Sequence, residues 1–83
     1  MTLAKGRTRQ GVDINEDVLE TLREACTRSE TEEIENTLSG RTERRVTYFL
    51  DGLDVCTIVR EEGKVVEIKR GLFDHPIVDR LVK

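Results

Sequence analysis

Two turn signals in the C-terminal half constrain the fold of this chain more than any other feature. The dipeptides Asp51-Gly52 and Glu62-Gly63 lie between stretches in which apolar and polar residues alternate. Such a dipeptide favours a tight hairpin turn, because both of its residues can adopt positive φ. The sequence therefore predicts three antiparallel strands, a β-meander, within residues 41–71.

The two turns also determine which residues of the predicted strands lie opposite one another. The predicted pairs are Leu50–Leu53, Tyr48–Val55, Val46–Thr57, Val59–Val66 and Thr57–Ile68. We expect these residues to form the buried face of the sheet, because side chains two apart in a strand share a face. The opposite, outer face would carry Arg45, Thr47, Phe49, Asp54, Cys56, Ile58, Arg60, Val65, Glu67 and Lys69.

Helical signals precede the meander, within residues 13–40. Asn15 is a favoured N-cap, and apolar residues recur after it at helical spacing. Ser29 and Glu32 match a capping box, which predicts a second helix that starts at Glu30. A single helix over residues 16–39 is the alternative that this pattern leaves open.

A short C-terminal helix is predicted within residues 72–83, where Pro76 suits the first turn and apolar residues follow it. Together the elements predict one α+β domain spanning residues 1–83, in the order α-α-β-β-β-α. The N-terminal helical half would pack on the three-stranded meander. Residues 1–12 carry three basic and no acidic side chains, and we expect them to form a flexible basic tail.

Composition indicates the class of protein more than its activity. Charged residues make up 37% of the chain, and the net charge is −3. Cys26 and Cys56 are too few for the disulfide framework of a secreted protein. No apolar run is long enough to cross a membrane, and no signal-peptide core follows the basic N-terminus. We therefore expect a cytoplasmic protein with reduced thiols and no membrane partner.

No cofactor, metal or catalytic site is predicted. Cys26, Cys56 and His75 are far apart in sequence and lack the short spacing of zinc ligands. His75 precedes Pro76, so its expected role is helix entry rather than general base catalysis. No glycine pattern of a phosphate-binding loop occurs. The sequence therefore favours a protein that is not an enzyme.

Two sets of residues are candidates for contacts with partners. On the outer sheet face, an interaction surface would comprise Arg45, Phe49, Ile58, Arg60 and Lys69. Apolar side chains left on that face favour self-association, and we expect a homodimer. Contacts with nucleic acid, the alternative partner, would come from Lys5, Arg7, Arg9, Arg41 and Arg44.

Two family resemblances concern the N-terminal half. Residues 7–38, RTRQGVDINEDVLETLREACTRSETEEIENTL, loosely resemble ribbon-helix-helix antitoxins, in which a basic strand that pairs in a dimer precedes two helices. The segment RQGVDINEDVLETL, followed by a meander, is similar to small α+β toxins of the RelE/ParE type. Neither resemblance assigns a site residue to this chain.

The function predicted from these features is a small regulatory or protein-interaction module, a homodimer that binds a protein partner. The alternative is a nucleic-acid-binding regulator, such as a toxin–antitoxin component or a phage-encoded factor. The first is favoured because 17 acidic residues outnumber 14 basic ones, and net negative charge weakens the attraction to phosphate.

Overall fold

The fold, in a computed structural model that describes residues 11–38 and 40–83, combines two helices with one antiparallel sheet. The elements in chain order are α1 (Glu16–Ala25), β1 (Arg28–Asn36), β2 (Arg41–Leu50), β3 (Leu53–Glu61), β4 (Lys64–Arg70) and α2 (Ile77–Leu81). The four strands lie in the order β1-β2-β3-β4, so every strand pairs with its neighbours in sequence. The α+β meander is confirmed, but it has four strands, not three.

The start of α1 follows the sequence prediction. Asn15 Oδ1 accepts hydrogen bonds from the backbone N–H groups of Asp17 (3.1 Å) and Val18 (3.3 Å). The apolar stripe of the helix is buried through Val18, Leu19 and Leu22. The helix ends at Ala25, so a continuous helix over residues 16–39 is wrong.

The predicted second helix is wrong as well, because its residues form β1. A helix there would have had only Ile34 and Leu38 to bury, and their side chains are 36% and 92% exposed. As a strand, the segment pairs with β2 along its length, and it places Glu32 opposite Arg45 and Glu33 opposite Arg44. Cross-strand pairs of opposite charge stabilise a sheet, and they outweigh the local capping signal. The helical half predicted for residues 13–40 therefore reduces to α1.

Both hairpin turns of the meander are as predicted. Asp51 and Gly52 have φ of 52° and 83°, and Glu62 and Gly63 have φ of 54° and 83°. Positive φ at both central residues is the backbone that matches the twist of the flanking strands. Leu50 lies opposite Leu53, as expected next to the first turn.

Beyond the turns, two β-bulges shift the predicted register by one residue. In β3 the bulge leaves Val55 without a partner, so Tyr48 lies opposite Cys56. In β4 a second bulge leaves Val66 unpaired, and Val59 lies opposite Glu67. The predicted pairs past these points are therefore wrong: Tyr48–Val55, Val46–Thr57, Val59–Val66 and Thr57–Ile68.

The bulges also exchange residues between the two sheet faces. Cys56, Ile58 and Val65, which were predicted on the outer face, belong to the hydrophobic core. Tyr48 and Val55 are in the core as predicted, whereas Leu53 is 47% exposed. We call the face that carries this core the helix face, because α1 and α2 cover part of it, and the other the outer face. The apolar patch that motivated the predicted homodimer is thus mostly absent, since Ile58 is only 1% exposed.

The C-terminal segment completes the core. Ile77, Val78 and Leu81 of α2 are buried, so the helix is confirmed, although it covers only five of residues 72–83. His75 Nδ1 accepts a hydrogen bond from the Ile77 N–H at 3.1 Å, which is the helix-entry role expected of it. An isolated bridge between Ile14 and Val82 ties this end of the chain to the start of α1. Neither helix has the length and apolarity needed to span a membrane.

Candidate functional site

A groove of about 540 Å³ opens on the helix face, where the sheet extends past α1. Strand alternation places every second residue of β2 and β3 toward it. The lining residues are Glu16, Arg23, Thr31, Arg44, Val46, Tyr48, Ile58, Arg60 and Gly63. Its volume is in the range of ordinary binding clefts, and three of its side chains are arginines.

Two of these arginines lie directly opposite each other in the sheet. Arg44 of β2 and Arg60 of β3 are cross-strand partners, and like charges in such positions destabilise a sheet. Glu33, on β1, is the other cross-strand neighbour of Arg44. Among the residues that the structure describes, no carboxylate lies within 4 Å of either guanidinium. The groove therefore holds two positive charges whose repulsion a bound anion would relieve.

The third arginine approaches from the helix. Arg23 Nε donates a hydrogen bond to the Tyr48 hydroxyl at 3.4 Å, and Arg23 Nη1 contacts Glu20 at the same distance. The bond to Tyr48 is the main cause of a raised pKa for Arg23, which keeps the guanidinium charged. Tyr48 is buried, so it anchors the arginine at the edge of the groove.

The residues predicted for an interaction surface divide between the two faces. Arg45, Phe49 and Lys69 lie on the outer face, Ile58 is in the core, and Arg60 lines the groove. On the outer face the Arg28 guanidinium stacks 4.1 Å from the centre of the Phe49 ring. Depressions on this face also carry glutamates of β1, so its charge is mixed.

The residues predicted to contact nucleic acid do not form one surface in the described part of the chain. Arg41 Nε lies 3.4 Å from a Glu62 carboxylate oxygen, and Arg44 faces the groove. Lys5, Arg7 and Arg9 lie outside the described residues. Sequence reasoning missed the grouping of Arg23 and Tyr48 with the arginine pair, because that grouping depends on how α1 packs on the sheet.

The two thiols lie near each other: Cys56 is in the hydrophobic core, and Cys26 is partly buried against it. Burial, and to a smaller extent the charge of Cys26, raises the pKa of Cys56 to about 11. Burial also raises the pKa of Cys26 above its usual value. A raised pKa keeps a thiol protonated and unreactive at neutral pH, so neither cysteine has the character of a nucleophile.

We expect iodoacetamide at pH 8 to modify Cys26 slowly and to leave Cys56 unmodified in the folded protein. Cys26 is half-buried, whereas the Cys56 side chain is fully buried and almost wholly protonated at that pH. Peptide mass spectrometry after timed labelling measures both rates, and labelling in denaturant gives the reference. The Cys26→Ser variant should gain no adduct while folded. Equal labelling of the two thiols in the native protein would contradict the buried position of Cys56.

In residues 11–38 and 40–83, no group of three or more His, Cys, Asp and Glu side chains is arranged to hold a metal ion. Among the described residues, the titratable groups that line the groove besides its arginines are Glu16 and Tyr48. The arrangement suits recognition of an anion by charge and hydrogen bonding.

Comparison with known proteins identifies no relative: no family model, no curated protein and no solved structure matches this chain.

Proposed function

We propose that this chain is a non-enzymatic interaction module that binds an acidic segment of a protein partner in the arginine groove. The observation that supports it most directly is the cross-strand pair Arg44 and Arg60, which faces the groove with no carboxylate of the described residues within 4 Å of either guanidinium. A sheet retains such a pair at a cost in stability, and a ligand that supplies carboxylates removes that cost.

The chemistry of the groove fits side-chain carboxylates. An arginine guanidinium binds a carboxylate through two parallel hydrogen bonds, and this geometry is worth more than a single point-charge contact. Val46 is half-buried and lines the groove beside the arginines, so it offers apolar contact to the stems of glutamate or aspartate side chains. An acidic peptide in extended or helical form could thus place carboxylates on Arg44 and Arg60 together.

Nucleic acid is the alternative ligand, since arginine also binds phosphate. The surroundings of the groove disfavour a long polyanion. Glu16 lines it, Glu33 adjoins Arg44 on β1, and the exposed side of α1 carries further acidic residues. Affinity for a phosphate backbone depends on a row of uncompensated positive charges, and these carboxylates interrupt it.

The test measures binding of a fluorescein-labelled glutamate-rich peptide by anisotropy, with a single-stranded oligonucleotide of equal charge as the second probe. We expect the peptide to bind and Arg44→Glu/Arg60→Glu to weaken it at least ~10-fold, because each charge-assisted bond contributes about 1.5–3 kcal/mol. The matched control Lys69→Glu/Arg80→Glu has the same change in net charge at two exposed positions away from the groove. It should change the affinity less than ~2-fold, as expected for screened charges.

The single variant Arg60→Glu separates a binding role from a structural one. It replaces the like-charged pair by an attractive one, so the free energy of unfolding should rise by ~0.2–1 kcal/mol while peptide binding is lost. Urea denaturation measures the first quantity. A loss of stability would show that Arg60 supports the fold. Tighter binding of the oligonucleotide, abolished by the same variants, would replace the acidic segment by nucleic acid as the ligand.

A further inference from the structure

The two edges of the sheet differ in how the described residues cover them. At the β4 edge the Val12 N–H donates a hydrogen bond to the Val65 carbonyl at 2.7 Å, so the segment before α1 covers part of that edge. At the other edge, β1 is nine residues long and pairs only with β2 in the described part of the chain. Its side chains from Arg28 to Glu35 are all exposed. A long uncovered strand edge is a template for another strand.

We propose that the N-terminal basic segment of a second copy, which contains Lys5, Arg7 and Arg9, pairs with the free edge of β1 as a fifth strand. This inference is independent of the groove and of its ligand. Strand addition of this kind gains affinity from backbone hydrogen bonds and specificity from the side chains that alternate along the added strand.

Charge complementarity selects this segment as the occupant. Lys5, Arg7 and Arg9 are spaced two residues apart, so an extended strand would present all three on one face. The segment has three positive charges and no negative one. β1 has one arginine and four glutamates, so its net charge is −3. These residues are Arg28, Glu30, Glu32, Glu33 and Glu35. Pairing of β1 with itself would instead bring glutamates together.

The geometry requires the segment of another copy. Gly11 lies against Lys64, the first residue of β4, at the edge of the sheet that is far from β1. A strand added to β1 lies four strand spacings from β4, about 19 Å away. Arg9 is two residues from Gly11 and reaches only about 7 Å beyond it. A chain therefore cannot place Arg9 on its own β1 edge, whereas two copies can exchange their segments.

A charge-exchange experiment in sedimentation velocity tests this arrangement. The tail variant carries Lys5→Glu, Arg7→Glu and Arg9→Glu. The edge variant carries Glu30→Lys and Glu35→Lys, which lie opposite threonines, and it retains Glu32 opposite Arg45 and Glu33 opposite Arg44. Both cross-strand pairs of opposite charge are kept in the edge variant, so β1 should still pair with β2. Circular dichroism of each variant checks that it is folded.

We expect the wild-type protein to sediment as a dimer of the 9.5 kDa chain at high micromolar concentration and to dissociate as salt is added. Each variant alone should be a monomer, because its segment and its β1 edge then carry charges of the same sign. An equimolar mixture of the two should form a heterodimer, since each segment again meets an edge of opposite charge. The control Arg80→Glu/Lys83→Glu lowers the net charge by four, against six for the tail variant, at exposed positions in and after α2, and it should remain a dimer.

Three results would overturn the proposal. A wild-type monomer at high micromolar concentration would show that the glutamates of β1 only protect its edge from other strands. A tail variant that remains a dimer would place self-association elsewhere. Two folded variants that stay monomeric when mixed would exclude the pairing of segment with edge. Peptide binding in the groove is measured separately, so none of these results depends on it.

Discussion

Val55→Asp should leave the chain unfolded. Val55 is the unpaired residue of the β3 bulge, its side chain is 1% exposed, and it belongs to the hydrophobic core. A buried carboxylate without a partner costs several kcal/mol even after it is protonated, and a domain of this size has a stability near the lower end of ~5–15 kcal/mol. Far-ultraviolet circular dichroism and amide chemical-shift dispersion should both report loss of structure.

The control for this substitution is Leu53→Asp, two residues earlier in the same strand. Leu53 is 47% exposed, so an aspartate there remains in contact with water. We expect this variant to fold and to unfold cooperatively on heating. A cooperative thermal transition in Val55→Asp, at a temperature close to that of Leu53→Asp, would contradict the assignment of Val55 to the core.

Gly71→Ala should lower the free energy of unfolding by about 1–3 kcal/mol, because the added Cβ atom overlaps backbone atoms that are held in place. A Cβ atom at Gly71 would lie 2.1 Å from the Asp54 carbonyl oxygen and 2.5 Å from its carbon. That carbonyl cannot easily move, since it accepts a hydrogen bond from the Phe73 N–H at 2.9 Å. The Gly71 N–H donates a hydrogen bond to the Val55 carbonyl at 2.9 Å, so hydrogen bonds hold the backbone of both Gly71 and Asp54 in place.

Urea denaturation of Gly71→Ala and Gly11→Ala measures this effect against a matched change. The nearest atom to a Cβ at Gly11 is 3.5 Å away, which is an ordinary contact, so Gly11→Ala should change stability little. Similar midpoints for the two variants would show that the strand ends near Asp54 adapt to the added methyl group.

The parts of the fold that the sequence predicts correctly depend on neighbouring residues. Asn15 caps α1 through atoms two and three residues away, and Asp51-Gly52 shapes its own turn. The strand β1 was missed because its stability comes from residues far along the chain. Opposite charges on β2 decide between strand and helix for a segment whose own glutamates are compatible with a helix.

The arginine groove was missed because of a single additional residue in β3. With Leu50 opposite Leu53 and no bulge, Arg60 would lie opposite Glu43 in an attractive pair; the bulge at Val55 places it opposite Arg44 instead. The available signal was the break in alternation at Val55-Cys56, where two successive apolar residues are both buried. Such a break is typical of a bulge, but it does not reveal which face the following residues adopt.

The exposure of β1 has a consequence for how this protein can change over evolutionary time. Because none of its side chains from Arg28 to Glu35 is buried, substitutions there leave the packing of the core untouched. Surface substitutions away from special features usually alter stability by less than about 0.5 kcal/mol. Outside Glu32 and Glu33, which lie opposite arginines of β2, the strand can therefore acquire a new charge pattern, and with it a new preference for what it pairs with, while the rest of the domain keeps its stability.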